Sequence, residues 1–534
     1  MSSKLYEKTG ILSTFILRQD RFKIPIWLIS IIGFTLLVAF SFTSLYSSDQ
    51  ERMAMAETMV NPAMVAMVGI GYGINNYTFG AMMAHQMLLL SAVVVGMMSI
   101  LIVARHTRTE EEDGQIELIR SLPTGRLSTL TATSLVMVGV HIVLGLLTAT
   151  GLIFMNIESV DVEGSLLYGA VLTATGIFFT SVTALFAQVS ESGRGVAGLS
   201  MSVLGAAYLI RAIGDVSNET LAWFSPLGWV TRTEVYVTDI WWPIFLMAAV
   251  AVVIFIAAFY LSSIRDLQSG FLPSRVGKRN ASAFLQSPFG LALRLQRTGI
   301  ISWAAGMLIL GLSYGSVLGD LDSFFESNDM VTGLLRPVDG FSLTEQFITL
   351  LMAVISMICT IPPLMAVFKL KGEENKNRVE HLLSRAVSRW RLIGSYLLIA
   401  LVNSFVMLSL AAFGMGMAGL AVMEDPIDLA TFYQAGIVYL PAMWVMIGLA
   451  VFLVGVKPSL SSIAWLYLGY SFITVYLGGL FQFPEWVTNL SPFAHIPQLP
   501  VDEMQYTNVF ILTIVAALFM AAGLLFYRKR DIKG

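Results

Sequence analysis

The sequence predicts an all-α polytopic membrane protein of about twelve transmembrane helices. They fall into two tandem, parallel six-helix halves, with the N- and C-termini cytoplasmic. Three observations carry this. Only 13% of the 534 residues are charged while 56% are hydrophobic, and mean hydropathy is +0.75, whereas a soluble protein carries about 25% charged residues. Such a chain cannot cover a water-facing surface, so lipid is its solvent. Soluble enzymes, nucleic-acid binders and disordered scaffolds are excluded. Second, twelve apolar stretches approach the ~20 residues a helix needs to cross the hydrocarbon core. Third, landmarks of the first half return in the second at a nearly constant offset.

The stretches are 24–45, 82–103, 128–154, 165–187, 195–213, 242–262, 299–318, 346–368, 391–420, 431–454, 459–481 and 508–527. The fifth and eleventh are interrupted by small and polar residues near one end. The leading 23 residues read as polar, and the first stretch is too long for a signal peptide and lacks a cleavage site, so it is a retained helix. Twelve spans put both termini on one side, and the positive-inside rule names it. Of the 32 Lys+Arg, 28 then face the cytoplasm, and only Arg52, Arg211, Arg232 and Arg336 lie outside. The inner face nets +15 and the outer −18. No Asp, Glu, Lys or Arg occupies the middle of a span. Ion-driven transporters usually keep one there, so the energy is expected from elsewhere. Cys359 is the single cysteine and the five histidines are scattered, which leaves neither a disulfide framework nor a metal-ligand spacing.

The repeat is clearest after the second and eighth spans. Glu110-Glu111-Glu112-Asp113-Gly114-Gln115-Ile116-Glu117, ending at Arg126, matches Glu373-Glu374-Asn375-Lys376-Asn377-Arg378-Val379-Glu380, ending at Arg389. Ser225-Pro226-Leu227-Gly228-Trp229 matches Ser491-Pro492-Phe493-Ala494-His495, and Arg18…Trp27 matches Arg294…Trp303. Halves of even span number run parallel. They divide the chain into residues 1–262, a basic cytoplasmic linker at 263–298, and residues 299–534. The linker, with Arg265, Arg275, Lys278, Arg279, Arg294 and Arg297, reads as a stretch lying on anionic lipid headgroups.

Most loops look too short to fold; the repeat loops 104–127 and 369–390 are the exceptions. In the second, Val379, Leu382, Leu383, Ala386, Val387 and Trp390 recur at helical spacing as one apolar stripe. In the first, Ile116 and Ile119 begin a similar stripe that Pro123 stops. The run Glu110–Asp113 sits where a helix N-terminus would welcome negative charge. An interfacial helix lying on the bilayer is the plainer reading, but four acids match an anionic leaflet poorly. Two short charged helices better fit docking on a twofold cytoplasmic partner. The chain supplies no phosphate-binding loop: Gly270…Gly277-Lys278-Arg279 has the wrong spacing and no Ser/Thr for magnesium.

The acidic-Gly…Glu-Leu motif at 111–118, Ser-Pro-Leu-Gly-Trp at 225–229 and Arg-Asp-Leu-Gln-Ser-Gly at 265–270 resemble those of type-2 ABC transporter permeases. The resemblance is to the fused twelve-span permeases of the polyketide-antibiotic (tetronasin-type) exporters, and it covers essentially the whole chain. The second half departs from it, with Asn377 for Gly114 and Ala494-His495 for Gly228-Trp229. The resemblance implies an exporter's membrane component in the bacterial or archaeal cytoplasmic membrane. Two copies of a separate cytoplasmic ATPase would hold ATP and Mg, while this chain binds no cofactor or metal and catalyses nothing itself. Substrates implied are hydrophobic drugs, antibiotics or lipids.

Under that reading the ATPase-coupling residues are Glu111, Glu112, Gly114, Glu117, Arg120, Arg126, Glu373, Glu374, Glu380, Arg385 and Arg389. At Ser225, Pro226, Gly228, Trp229, Ser491 and Pro492 proline breaks the helix, which fits either outer re-entrant turns capping the path or ordinary bent loops. A path between spans 1, 2 and 5 and spans 7, 8 and 11 would be lined by Ser30, Gln86, Ser91, Tyr208, Tyr314, Ser356, Tyr467 and Tyr470, although span hydroxyls more often bond neighbouring helices. The other readings are an ion-coupled secondary drug transporter and a polytopic lipid-modifying enzyme. The enzyme would need acid–base groups gathered at one face, and the acidic loop with Asp320, Asp322, Glu326 and Asp329 has no His or Lys partner nearby in sequence.

Overall fold

The computed structural model describes residues 5–60, 62–266, 269–272, 280–320, 342–385, 387–423, 427–476 and 484–531. The chain divides into two compact units, Met1–Gly277 and Lys278–Gly534. Among the described residues, eleven helices are long and apolar enough to cross a membrane. In the first unit these are Lys23–Leu45, Phe79–Glu112, Ser128–Phe154, Val162–Val189, Gly193–Ser217 and Trp242–Ile264. In the second they are Pro288–Ser316, Leu343–Glu374, Arg389–Val422, Leu429–Val456 and Tyr506–Lys529. The expected stretch 459–481 opens in a 3-10 turn, Pro458–Ser461, and continues as a shorter helix, Ser462–Tyr476, while 477–481 lie outside the described residues.

Local chemistry starts several of these helices. Thr78 accepts from the Ala81 N–H, Asp161 from Gly164 and Ser192 from Gly195, satisfying donors that the first turn leaves open. Ser342 and Glu345 close a reciprocal capping box on Leu343–Glu374. Within each unit the second and fourth spans are central. About 67% and 72% of the apolar windows of Phe79–Glu112 and Val162–Val189 are buried, and 72% and 78% for Leu343–Glu374 and Leu429–Val456. The first and last spans of each unit bury 17–22%, so most of their apolar surface lies outside the packing of their own unit.

Several expectations about segments outside the spans are corrected. The leading residues are not a simple polar lead-in: Thr9–Gln19 is a helix with Leu12 and Ile16 buried, packed on Ser128–Phe154. The loop after the first span is long enough to fold, and forms helices Asp49–Met59 and Pro62–Val68. The stripe from Val379 to Trp390 is not one helix. It stops at Leu383, and Ser388 caps the next helix by accepting from the Arg391 N–H at 3.3 Å; Ala386 lies outside the described residues. The acidic runs also do not open a helix. Glu110–Glu112 extend the second span after a π-helical turn at Arg105–Thr109, and Glu373 and Glu374 end Leu343–Glu374. An acid at a helix C-terminus opposes the helix dipole, and partnered cations outweigh that cost here.

Candidate functional site

Each unit builds the same clamp where its second span ends. Glu111 is buried and accepts from Arg265 Nη2 at 2.8 Å, while Arg108 stands 3.0 Å from its other oxygen. Arg126 Nη2 donates to the Arg265 carbonyl at 2.8 Å. In the second unit Arg530 Nη2 donates to both Glu374 oxygens at 2.7 and 2.6 Å, and Arg389 Nη1 donates to the Arg530 carbonyl at 2.7 Å. Arg265 directly follows Trp242–Ile264, and Arg530 directly follows Tyr506–Lys529. The end of the second span, the exit of the last span and the start of the third are thereby tied together. Such pairs are strong when charge-assisted and desolvated, and removing one partner strands the other.

From each clamp hangs a short exposed helix. Gly114 (φ 76) precedes Gln115–Arg120, and Asn377 (φ 55) precedes Arg378–Leu383. Both residues take the left-handed conformation that turns the chain off the span, and Asn is among the non-glycine residues that best tolerate it. The departure from glycine at 377 therefore keeps the turn. One buried apolar residue anchors each helix, Ile116 at 5% exposed and Val379 at 1%, and Ile119, Leu382 and Leu383 pack half-buried beside them. Glu117 and Leu118 on the first helix, and Glu380 and His381 on the second, face outward. Of the residues expected to dock a partner, Glu112, Glu117, Arg126, Glu380 and Arg385 are exposed. Gly114, Arg120 and Arg389 are half-buried, and Glu111, Glu373 and Glu374 are turned inward. Glu112 accepts from the Gly193 N–H at 3.0 Å, and Glu373 pairs with Lys369 and Arg378.

The first unit adds a buried network that the sequence reading missed. His106 has Asp20 Oδ2 2.5 Å from Nε2 and Glu110 Oε1 2.7 Å from Nδ1, and Arg105 reaches Asp20 at 2.6 Å. A ring can donate to a carboxylate through each nitrogen only as the imidazolium. The network ties the end of the Thr9–Gln19 helix to the clamp. Arg265 and Arg530 were also missed as partners of the acids. A signal existed: Arg265-Asp266-Leu267 recurs as Arg530-Asp531-Ile532 at an offset of 265.

At the other end, Ser225 is fully buried. Its hydroxyl donates to Ala207 O at 2.6 Å and accepts from Leu227 N–H at 3.2 Å, capping Pro226–Thr231 with Pro226 in the first turn. Ala207 lies ten residues before the end of Gly193–Ser217, about 15 Å at 1.5 Å per residue, so the chain folds back along its own span. Gly228 packs on Ala222, and Trp229 Nε1 donates to Trp223 O at 2.7 Å. Arg211, 0% exposed, donates to the carbonyls of Val65, Ala66 and Met67, and Asp215 bridges it to Arg232. In the second unit Ser491 and Pro492 are buried, and Tyr467 and Tyr470 donate to Leu490 O (2.6 Å) and Val487 O.

The other candidate lining residues are placed as follows. Tyr208 donates to Met67 O at 2.7 Å, Ser356 to Ala353 O at 2.7 Å, and Tyr168 donates to Ser91 at 3.5 Å. These hydroxyls, with Tyr467 and Tyr470, are engaged in holding structure. Ser30 is exposed, and Gln86 and Tyr314 are half-buried.

A family profile described as "Multidrug efflux system permease Rv1217c, C-terminal domain" matches residues 13–261 and 285–528. The chain belongs to this Rv1217c efflux-permease family. It is 34% identical over 530 residues to "Multidrug efflux system permease protein Rv1217c" of Mycobacterium tuberculosis (strain ATCC 25618 / H37Rv), covering 98% of this chain and 95% of that protein. Membership of the Rv1217c family, with eleven described spans, makes this a multi-pass permease of the bacterial cell membrane and a transporter rather than an enzyme. In this member of the Rv1217c family the matched stretches hold both clamps' acids and both short helices.

Proposed function

We propose that this chain is the membrane permease of an ATP-driven exporter of the type-2 ABC, tetronasin-like kind, working with two copies of a separate cytoplasmic ATPase. The ATPase would hold ATP and Mg. Hydrophobic drugs, antibiotics or lipids would move outward by alternating access. The observation that carries this reading is the pair of short exposed helices, each hung by a left-handed turn from a buried Glu–Arg clamp. A rigid mount under an exposed, charged helix suits transmission of a push from a docked partner to the ends of three spans. A flat interfacial helix would keep its apolar face for lipid; these two spend Ile116 and Ile119, and Val379, Leu382 and Leu383, on packing within their own units and leave Glu117 and Glu380 outward. The drug class follows from the relative's name and from the resemblance of the motifs.

The test is affinity purification from native membranes in mild detergent. We expect an ATPase at two copies per chain, lost when Glu117→Arg and Glu380→Arg are combined, with membrane insertion intact. Co-purification equal to wild type would remove the two helices from the docking role. A chain that comes out alone after gentle crosslinking would favour an ion-coupled transporter, for which the buried Asp20–His106–Glu110 network is the proton-handling candidate.

A further inference from the structure

A cleft opens in the first unit beside its clamp, with about 380 Å³ of free space, part of it open to solvent. Its walls come from the ends of four spans: Thr107 and Glu111, Thr129 and Leu130, Ala187 and Gln188, and Ser262 with Arg265. Arg120 and Arg126 of the short-helix segment close it. Span ends on the basic side of the molecule lie where hydrocarbon gives way to headgroups.

The charges in the cleft do not balance. Three guanidinium groups, Arg120, Arg126 and Arg265, face one carboxylate, Glu111, which Arg265 already engages at 2.8 Å. Among the described residues no carboxylate lies within ion-pair distance of Arg120 or Arg126. Arg126 Nη2 and Arg120 Nη2 spend a donor each on backbone carbonyls, of Arg265 and Arg126. Arg120 Nε is buried with no hydrogen-bond partner. A buried unpaired donor costs free energy until an acceptor arrives. Burial, with Arg126 adding to it, holds the Arg120 pKa below its ordinary value; an anion would relieve both. Opposite, Gln188 is 3% exposed, its Nε2 donates to Ala184 O, and its Oε1 has no partner. The cleft thus offers guanidinium donors for an anion and one acceptor for a hydroxyl.

We propose that this cleft binds a phosphate ester that also carries a hydroxyl, the headgroup of an anionic glycerophospholipid of the inner leaflet. Guanidinium suits phosphate through its planar fork of donors, Gln188 Oε1 takes the hydroxyl, and the acyl chains leave along the spans. The repeat does not carry Arg120 into the second unit. The position that matches Arg120 in the repeat, 263 residues on, is Leu383. Binding here would tie one coupling helix to the lipid composition around it. The inference needs only the chain's place in a bilayer, and its readout requires no ATPase, so its failure is distinguishable from failure of the exporter reading.

The experiment uses the delipidated full-length chain in maltoside detergent, with native mass spectrometry of added phosphatidylglycerol or phosphatidylcholine. We expect preferential retention of phosphatidylglycerol. Arg120→Leu, which installs the second unit's residue, should lower that affinity at least fivefold and leave phosphatidylcholine unchanged, with Arg120→Lys partly restoring it. Arg21→Leu, removing an exposed charge elsewhere, should change neither. Should Arg120→Leu fail to fold, Gln188→Leu serves: it should erase the preference for phosphatidylglycerol over phosphatidic acid, which lacks the headgroup hydroxyl. Soluble glycerol 1-phosphate competing as strongly as the lipid would keep the phosphate site and assign it to a soluble ester. Equal phosphatidylglycerol binding by wild type and Arg120→Leu, or an equal loss in Arg21→Leu, would overturn the site.

Discussion

At the scale of single residues, close packing decides what a span tolerates. His141 is fully buried, with Nε2 2.9 Å from the Ser99 hydroxyl and 3.4 Å from that of Thr180. Its ring lies flat against Gly176, where an added Cβ would come within 2.3 Å of Nδ1. Gly176→Ala should therefore destabilise by about 1–3 kcal/mol, the usual cost of overpacking. The check is a thermal-unfolding double-mutant cycle with His141→Ala, in which the two losses should fail to add. A second prediction concerns charge. Asp239, in the turn before Trp242–Ile264, accepts from the Tyr236 N–H at 2.9 Å. Burial first, then Asp161 and Glu163, raise its pKa. A carboxyl with a raised folded pKa favours the fold only while protonated, and that contribution is lost as pH rises through its titration. Asp239→Asn keeps the acceptor and removes the charge. Its melting temperature should exceed wild type at pH 7, and the gap should close as pH falls through the carboxylate range.

At the scale of elements, the short helices depend on the turns that launch them. Gly114 at φ 76 has nothing within 4 Å of an added Cβ, so only backbone conformation opposes a side chain there. Gly114→Asn should transport nearly as wild type, because Asn377 fills the same role in the second unit. Gly114→Val should lose efflux while the spans stay folded, since a β-branched residue at positive φ is a genuine outlier. Drug-efflux assays beside size-exclusion profiles separate the two. The repeat loops were recognisable in the sequence as paired features, but their helix limits were not. The stripe from Val379 to Trp390 has helical spacing, yet Ser388 competes for the next helix start, and spacing alone does not say which hydrogen bonds win. The acidic run was misplaced for the same reason: its cations, Arg265 and Arg530, lie about 155 residues further along the chain.

At the scale of the whole molecule, topology rests on charge asymmetry and invites a direct check. Cys359 is fully buried, so the native chain is a quiet background for an impermeant maleimide. Glu158→Cys should label in intact cells and Ser121→Cys only after permeabilisation; the reverse pattern would invert the molecule. The sequence by itself determined that lipid is the solvent, that about a dozen helices cross it, and which ends are basic. Those properties follow from composition and local periodicity, to which every residue contributes independently of its distant neighbours. Only the tertiary structure decided that Glu111 and Glu374 face inward, that Tyr208, Tyr467 and Tyr470 donate to backbone carbonyls, and that Arg120 shares a cleft with Gln188 and Arg265. Each of these depends on a partner far along the chain, and a buried polar group takes its role from whichever partner the packing delivers.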